Sequence, residues 1–189
     1  MRVWGSFLAK KVLVVTGMPG AGKDEFISVA RDMGFADFHM GNTVRKYAAV
    51  EGIPSTDSDI GDFASRERVI RGKDIWARRT IETITDSDRI IIDGLRNQEE
   101  LDYFKSVEGH VFVVAIFANR ATRLSRILKR NRPDDIKSLE ELIERDNREL
   151  SWGIAKAIVL SDYLVVNDTT LEHFREQSRR LLSEVSEIS

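Results

Sequence analysis

The segment from Gly17 to Lys23, with the sequence GMPGAGK, constrains this chain of 189 residues more than any other feature. It follows a strand-like apolar run, Lys11 to Thr16, and an amphipathic helical pattern begins directly after it at Asp24. Glycines let the backbone wrap closely, so that successive N–H groups converge on an anion at the start of the helix. Lys23 adds a cation that reaches the terminal phosphates of a nucleotide. The segment therefore predicts a polyphosphate cradle, or P-loop, made of Gly17, Met18, Pro19, Gly20, Ala21, Gly22 and Lys23.

Asp24 stands where the standard P-loop motif has the Ser or Thr that ligates magnesium. A carboxylate can hold Mg²⁺ directly or through water, because this ion prefers oxygen ligands and keeps several waters. The alternative is that Asp24 only stabilises the N-terminus of the following helix. Both interpretations stay open on sequence alone, and we expect the nucleotide to bind together with Mg²⁺.

Short β-branched runs alternate with helical patterns along the rest of the chain. A weak run lies at Phe35–Phe38, and the clear ones are Val12–Thr16, Arg89–Asp93, Val111–Phe117 and Tyr163–Val166. This alternation predicts an α/β P-loop NTPase fold, with a five-stranded parallel sheet flanked by helices. We expect one domain over residues 1–189, with a helical insertion at 41–86 and a charged segment at 129–148. In a phosphotransferase both are natural movable covers, and surface helices and a loop are the plain alternative.

The composition of the chain argues against a nucleic-acid partner, disulfide bonds and a membrane span. A formal net charge of −2 lacks the basic excess that a nucleic-acid partner requires. The chain has no cysteine, which excludes disulfides and thiol catalysis and fits a reducing cytoplasm. Its longest apolar run, Val111 to Ala118, is too short to cross a bilayer. We therefore expect a cytoplasmic protein whose partners are small molecules.

Four segments resemble the adenylate kinases and their relatives. The P-loop has the adenylate kinase form, in which Ser or Thr is likewise absent after the lysine. His39–Arg45 (HMGNTVR) looks like the segment that opens their monophosphate-binding helices, and Ile92–Arg96 (IDGLR) resembles their strand-end Asp-Gly-Phe-Pro-Arg without the proline. Asp162–Asp168 (DYLVVND) is similar to the last strand and base-proximal loop of dephospho-CoA kinases. From Lys11 onward the chain is similar to an archaeal family of P-loop proteins described as adenylate-kinase-like or dephospho-CoA-kinase-like.

This resemblance implies a nucleoside monophosphate kinase that uses ATP and Mg²⁺. The acceptor phosphate would be gripped by Arg45 and Arg96, since arginine forms planar, bidentate bonds to phosphate. Asp93 would organise Mg²⁺ and its waters, together with Asp24. The plain alternatives are that the two arginines are surface cations and that Asp93 is a helix cap. The resemblance also places Gly41 and Gly94 on the acceptor side and Asn167 beside ATP.

A helix expected from Asn119 to Arg130 carries a basic stripe. Arg123, Arg126 and Arg130 fall within an arc of about 60° at 100° per residue. A solvated face is the ordinary explanation of such a stripe. Resemblance to nucleotide kinases places the lid here, so that Arg126 and Arg130 close over the transferring phosphoryl group and Arg132 contacts the substrate.

The next helical pattern places Asp146 within an apolar stripe. A buried carboxylate is costly without a partner, so we expect Asp146 to orient a lid arginine such as Arg126 or Arg130. On the same helix, Arg145 and Arg148 are candidates for phosphate contact, and a structural ion pair is an equally good interpretation.

The histidines and tryptophans are less informative. His39 precedes the acceptor segment and can line a pocket, although a structural role is the simpler interpretation. Trp76 and Trp152 lie in apolar patterns and are expected in the core.

Three functions stay open on sequence alone. The first is ATP-dependent phosphorylation of a nucleoside monophosphate, with AMP as the favoured acceptor, because an ionised phosphate nucleophile needs arginines and no general base. The second is dephospho-CoA kinase, whose hydroxyl acceptor benefits from a carboxylate base. Dephospho-CoA kinases carry an Asp-rich segment where this chain has Phe38–Asn42, which contains no aspartate. The third is an adenine-nucleotide-sensing regulatory P-loop protein with little turnover.

Overall fold

The computed structural model describes residues 11–85, 87–107, 110–130 and 136–187. Over these residues, five strands alternate with helices in the order that the sequence predicts. The elements are β1 (Lys11–Thr16), α1 (Lys23–Asp32), β2 (Ala36–His39), α2 (Met40–Val50), α3 (Asp57–Arg71), α4 (Ile75–Ile81), β3 (Arg89–Asp93), α5 (Gln98–Val107), β4 (His110–Phe117), α6 (Arg120–Arg130), α7 (Leu139–Trp152), α8 (Ile154–Val159), β5 (Tyr163–Val166) and α9 (Leu171–Glu187).

The five strands form one parallel sheet in the order β2-β3-β1-β4-β5, which confirms the predicted fold class. Strand β1 is central, with Val12 paired to Ile90 of β3 and to Val111 of β4. Strand β2, which had the weakest pattern, is also present, and it begins one residue later than predicted. Because all strands run in the same direction, the residues that follow β1, β2 and β3 meet at one edge of the sheet.

The sheet is covered on both faces, which explains why its strands are continuous apolar runs rather than alternating ones. Residues 12–15 of β1 have no solvent exposure. One apolar cluster contains Trp76 and Phe104, and the cluster on the other face contains Phe26 and Phe174. These two clusters hold β1, and with it the loop that follows it, in a fixed position.

Helices α2, α3 and α4 lie between β2 and β3, within the predicted insertion. Trp76 of α4 is fully buried, as predicted, and its indole N–H donates to the Ala64 carbonyl at 3.2 Å. That these helices cover an acceptor stays a prediction, and so does the lid at 129–148, of which Arg132 lies outside the described residues. None of the helices in the described part of the chain has the length and apolar character needed to cross a membrane.

Candidate active site

A cleft of about 790 Å³ lies at the carboxyl edge of the sheet, between the loop after β1 and helices α2, α3 and α7. This volume falls within the range of small-molecule sites, roughly 300–1,000 Å³. The cleft brings most of the predicted site residues together. Its wall includes Pro19, Gly20, Gly22, Lys23, Asp24, Gly41, Arg45, Asp93, Gly94, Arg96, Arg126, Arg130, Arg145 and Arg148.

Backbone geometry explains the glycines of the loop. Gly17 and Gly22 have φ angles of 144° and 106°, which side chains rarely adopt. A Cβ atom at Gly17 would lie 2.3 Å from the Ile116 carbonyl oxygen, and one at Gly22 would lie 2.1 Å from Nδ2 of Asn167. The loop therefore needs glycine both for its conformation and for its close contact with β4 and with Asn167, the residue after β5.

The outward carbonyl groups of the loop are held by side chains. Arg123 Nη1 donates to the Pro19 carbonyl at 3.0 Å. The Ala21 carbonyl accepts from Asn167 Nδ2 at 2.9 Å and from Arg126 Nη1 at 3.4 Å. Since the C=O and N–H groups of a trans peptide point in opposite directions, these contacts turn the N–H groups that follow toward the other side of the loop. Such an arrangement suits the binding of an anion.

Asn167, which the resemblance placed beside ATP, supports the phosphate loop. It is buried, and its side chain contacts the loop and the Arg126 guanidinium, with Arg126 Nη2 donating to its Oδ1 at 3.1 Å. These contacts support the phosphate cradle. Contact between Asn167 and the nucleotide itself stays a prediction.

The crowding at Gly22 makes a test of the cradle. We expect Gly22→Ala to weaken ATP binding at least about tenfold, because the new methyl group displaces Asn167 and distorts the loop. The matched control is Gly34→Ala, since Gly34 also has a positive φ, 87°, but no atom within 4 Å of its added Cβ. Calorimetric titration with ATP should show normal affinity for Gly34→Ala. Equal affinities in the two variants would contradict the tight packing behind the loop.

Arg123 is the buried partner of Asp146, whose Oδ2 also lies 3.4 Å from Arg120 Nε, and the prediction of Arg126 or Arg130 was wrong. Its guanidinium makes two bonds to the Asp146 carboxylate, at 2.8 and 2.6 Å, and the two side chains are 5% and 1% exposed. Arg126 instead contacts the loop and Asn167, and Arg130 lies 3.8 Å from Asp24. The spacing of the three arginines on α6 could not distinguish them, because the position of α7 decides which one meets the aspartate.

This pair connects α7 to the phosphate cradle. The same Nη1 of Arg123 that bonds Asp146 also donates to the Pro19 carbonyl. Sequence reasoning had given Arg123 only a place on a solvated stripe, whereas its side chain is buried. Nothing in the helical pattern of α6 alone separates it from its exposed neighbours.

His39, the last residue of β2, lies between the carboxylates of Asp37, within the same strand, and Asp93, at the end of β3. Its Nε2 lies 3.0 Å from Oδ2 of Asp37, and its Nδ1 lies 3.5 Å from Oδ2 of Asp93. Asp37 in turn accepts two bonds from the Arg31 guanidinium, which hold the pKa of its carboxyl at about 2. Hydrogen bonding to Asp93 raises the pKa of His39, against the effect of burial. His39 therefore has a structural role through these contacts, and it also lines the cleft.

Asp93 has the properties expected of a ligand for a magnesium ion. Burial raises the pKa of its carboxyl, but the bond to His39 and the charges of Lys23 and Arg96 outweigh burial and lower it. Its Oδ1 is buried and has no hydrogen-bond partner among the described residues. The described residues contain no cluster of three or more metal-binding side chains. Magnesium at a nucleotide needs only one or two carboxylates, because phosphates and waters complete its shell. The residues therefore fit the ion, with Asp24 as the second candidate.

Lys23 lies within the same group of charges. Its Nζ donates to the Gly17 carbonyl at 2.8 Å. Burial lowers the pKa of its ammonium, and the charge of Asp93 opposes that change. Lys23, at the start of α1, and Asp93, at the end of β3, thus face the same space.

Arg45, Arg96, Arg145 and Arg148, all predicted on the acceptor side, lie in the cleft wall, and the last three form ion pairs. Arg96 pairs with Glu149 of α7. Arg145 and Arg148 both pair with Asp57, the first residue of α3, and the distance from Arg145 Nη1 to Asp57 Oδ1 is 3.0 Å. The structure therefore contains the ion pairs that were one interpretation of these two arginines, and phosphate contact stays a prediction.

Sequence reasoning did not identify Asp57 and Glu149. A partial indication exists in α7, where Arg145, Arg148 and Glu149 are spaced so that they share one helical face. No comparable pattern indicates that this face meets the start of α3.

Comparison with known proteins places the chain among P-loop proteins. The family model described as an AAA domain matches residues 13–151. A UPF0200 protein of Thermoplasma volcanium is 63% identical over 171 residues, which is 90% of this chain and 96% of the relative. A UPF0200 protein of Methanosarcina barkeri is 39% identical over 176 residues, covering 92% of this chain and 95% of the relative.

Solved structures of kinases have the same fold. A shikimate kinase from Bacteroides thetaiotaomicron superposes with a TM-score of 0.59 over 94% of this chain and 99% of that one, at 15% identity. A gluconokinase from Sinorhizobium meliloti superposes with a TM-score of 0.58 over 95% of each chain, at 14% identity. At such low identities the likeness is one of fold alone.

Proposed function

The chain belongs to the UPF0200 family of archaeal proteins and has a P-loop kinase fold, and from this premise we propose that it transfers the terminal phosphoryl group of ATP to a nucleoside monophosphate. The observation that carries the proposal is the composition of the cleft, in which a phosphate cradle and Asp93 share a wall with Arg45, Arg96, Arg145 and Arg148. AMP is the acceptor we favour. We also propose that the protein works in the cytoplasm.

The donor side of this proposal uses the loop, Lys23 and the two carboxylates. The N–H groups of the loop and the start of α1 bind the polyphosphate, and Lys23 neutralises its terminal oxygens. Asp93 and Asp24 would hold Mg²⁺, which supplies further charge neutralisation at the phosphates when it is bound. Phosphoryl transfer depends mainly on positioning and electrostatic stabilisation, and these residues provide both.

The acceptor side is positively charged overall. Arg45, Arg96, Arg145 and Arg148 face the cleft, and the last three pair with the carboxylates of Glu149 and Asp57. An anionic acceptor is thus attracted to this wall, because electrostatic interactions are stronger in a cleft that excludes water. A phosphate nucleophile is already ionised, so no residue has to remove a proton from it.

A hydroxyl acceptor, as in dephospho-CoA kinase, is the second candidate. The observation that favours it is the buried Oδ1 of Asp93, which has no hydrogen-bond partner among the described residues while His39 contacts the other oxygen. A carboxylate in this condition can accept the proton of an attacking hydroxyl group. The expected Asp-rich segment is still absent from Phe38–Asn42, where His39 stands.

The test is an assay of ADP formation and product identity with ATP, Mg²⁺ and a panel of acceptors. The panel contains AMP, GMP, CMP, UMP and dephospho-CoA. We expect a nucleoside monophosphate to be used at least about ten times more efficiently than dephospho-CoA. The reverse preference would establish the second candidate. Tight ATP binding without transfer to any acceptor would instead favour the nucleotide-sensing alternative.

Arg45 offers a specific prediction for the acceptor side. We expect Arg45→Ala to lower kcat/KM for the acceptor about 10- to 100-fold with an unchanged KM for ATP, because it removes charged hydrogen bonds worth about 1.5–3 kcal/mol. The control is Lys46→Ala, which removes an exposed cation that is adjacent on α2 but outside the cleft wall. Arg96 is less suitable, since its removal leaves Glu149 buried without its partner. Equal kinetics for the two variants would remove Arg45 from the acceptor site.

A further inference from the structure

One part of the cleft has a different chemical character from the phosphate cradle. It is formed by α2, α3, α4 and the end of α7, and its wall is apolar and aromatic. The residues concerned are Met40, Val44, Ile60, Ala64, Trp76 and Trp152. An apolar surface offers a phosphate neither charge nor hydrogen bonds, so we expect it to contact another portion of the bound molecule.

Trp152 gives this wall a flat surface. Its indole N–H donates to Ser65 Oγ at 3.0 Å, which fixes the orientation of the ring. The Arg68 guanidinium lies 4.4 Å from the ring centre, and the Arg148 guanidinium lies 6.0 Å from it. Indole and guanidinium groups are both planar, and both stack on flat ligands. Because these side chains are already held in place, a ligand loses little binding energy in ordering them.

Arg68 also has hydrogen-bonding capacity that the described residues do not use. It is 8% exposed, and its Nη2 donates to Glu100 Oε1 at 2.9 Å. Its Nε and Nη1 are buried and have no hydrogen-bond partner among the described residues. Buried donors are costly when they are unpaired, so a ligand that supplies acceptor atoms here gains affinity. Arginine donors meet adjacent ring nitrogens and carbonyl oxygens of nucleic-acid bases in this way.

We propose that this part of the cleft binds the planar heteroaromatic base of the acceptor, packed against Trp152, with Arg68 donating hydrogen bonds to acceptor atoms on the ring. The inference rests on the proposed kinase function and narrows the acceptor to molecules that carry such a ring. An open-chain or alicyclic acceptor has no flat face for Trp152 and gains less from the stacked wall.

The test compares ligands that share a phosphate and a ribose but differ in the base. Calorimetric titration of the wild-type chain with AMP, GMP, CMP and UMP should give at least one dissociation constant about tenfold below that of ribose 5-phosphate. Equal affinities for all five compounds would overturn the inference. This comparison uses the unaltered chain, so it does not depend on whether any variant folds.

Variants of Trp152 assign the effect to the ring. Trp152→Leu should weaken the best-binding nucleoside monophosphate about 5- to 100-fold and leave ribose 5-phosphate unchanged, whereas Trp152→Phe should preserve most of the difference. The affinity for ATP serves as the control for an intact cradle. A loss of affinity that is equal for both ligands would mean that Trp152 acts through the fold and not on the base.

The same proteins separate this inference from the kinase proposal. Efficient transfer from ATP to ribose 5-phosphate, with no advantage for any base, would refute the base site and leave the kinase function intact. Base-dependent binding that Trp152→Leu abolishes, without transfer to any acceptor, would support the base site and refute the kinase function.

Discussion

Replacing Lys23 by alanine is expected to lower kcat for phosphoryl transfer on the order of 10³-fold. Lys23 is the cation of the cradle, its Nζ lies 2.8 Å from the Gly17 carbonyl oxygen, and it faces the cleft together with Asp93. The transferring group carries its charge on oxygens that Lys23 reaches, and water is a poor substitute for a fixed cation in a site of this kind. The loss should therefore be much larger than for any single arginine of the acceptor wall.

The measurement is kcat at saturating ATP with the best acceptor found in the panel. Lys46→Ala is again the control, because it removes one positive charge from an exposed position outside the cleft. Thermal unfolding of Lys23→Ala should resemble that of the wild type, since the side chain mainly contacts its own loop. A variant that keeps more than about a tenth of the wild-type kcat would contradict the assignment of Gly17–Lys23 as the donor cradle.

Asp146→Ala is expected to lower the free energy of unfolding by about 3–5 kcal/mol, the largest stability effect that we predict. The substitution leaves the Arg123 guanidinium buried without its two bonds to the carboxylate. For a chain of this size the melting temperature should fall on the order of 10 °C. The affinity for ATP should fall as well, because Arg123 also holds the Pro19 carbonyl of the loop.

Two further variants show whether the buried pair is the cause. Glu144→Ala removes an exposed carboxylate from the same helix and should change stability by less than about 0.5 kcal/mol. The double variant Arg123→Met, Asp146→Leu replaces both charges by apolar side chains and should recover most of the stability. It should not recover ATP affinity, because the bond to Pro19 is still missing. Normal stability of Asp146→Ala would contradict the buried pair.

The strands and the phosphate loop could be predicted because their causes are local in the chain. Continuous apolar runs indicate strands that are buried on both faces, and all five predicted strands are present in the structure. The glycines at Gly17 and Gly22 indicate a conformation that other residues avoid, and both have positive φ angles. The pattern also placed Asp93 at the end of a strand, while its role came from the resemblance to adenylate kinases, and only the structure shows that this strand lies next to β1.

The ion pairs of the site could not be predicted, because they join elements that are far apart in the chain. Three arginines in one stripe of α6 were possible partners for Asp146 of α7. Only the packing of α7 against α6 selects Arg123. Arg145 and Arg148 both meet Asp57, which is about 90 residues away and belongs to an element without any matching pattern. The aromatic wall at Trp152 likewise depends on where α7 ends against α3.

The sequence by itself determined the P-loop and predicted a polyphosphate as its ligand, because seven consecutive residues contain the glycines and the lysine of such a loop. It also determined the order and type of the strands, through hydrophobic periodicity. Only the tertiary structure decided which carboxylate pairs with each arginine, which arginines support the loop, and what surrounds Trp152. The physical reason is that a pattern along the chain reports the environment of a residue, whereas the identity of its partner depends on how separate elements pack.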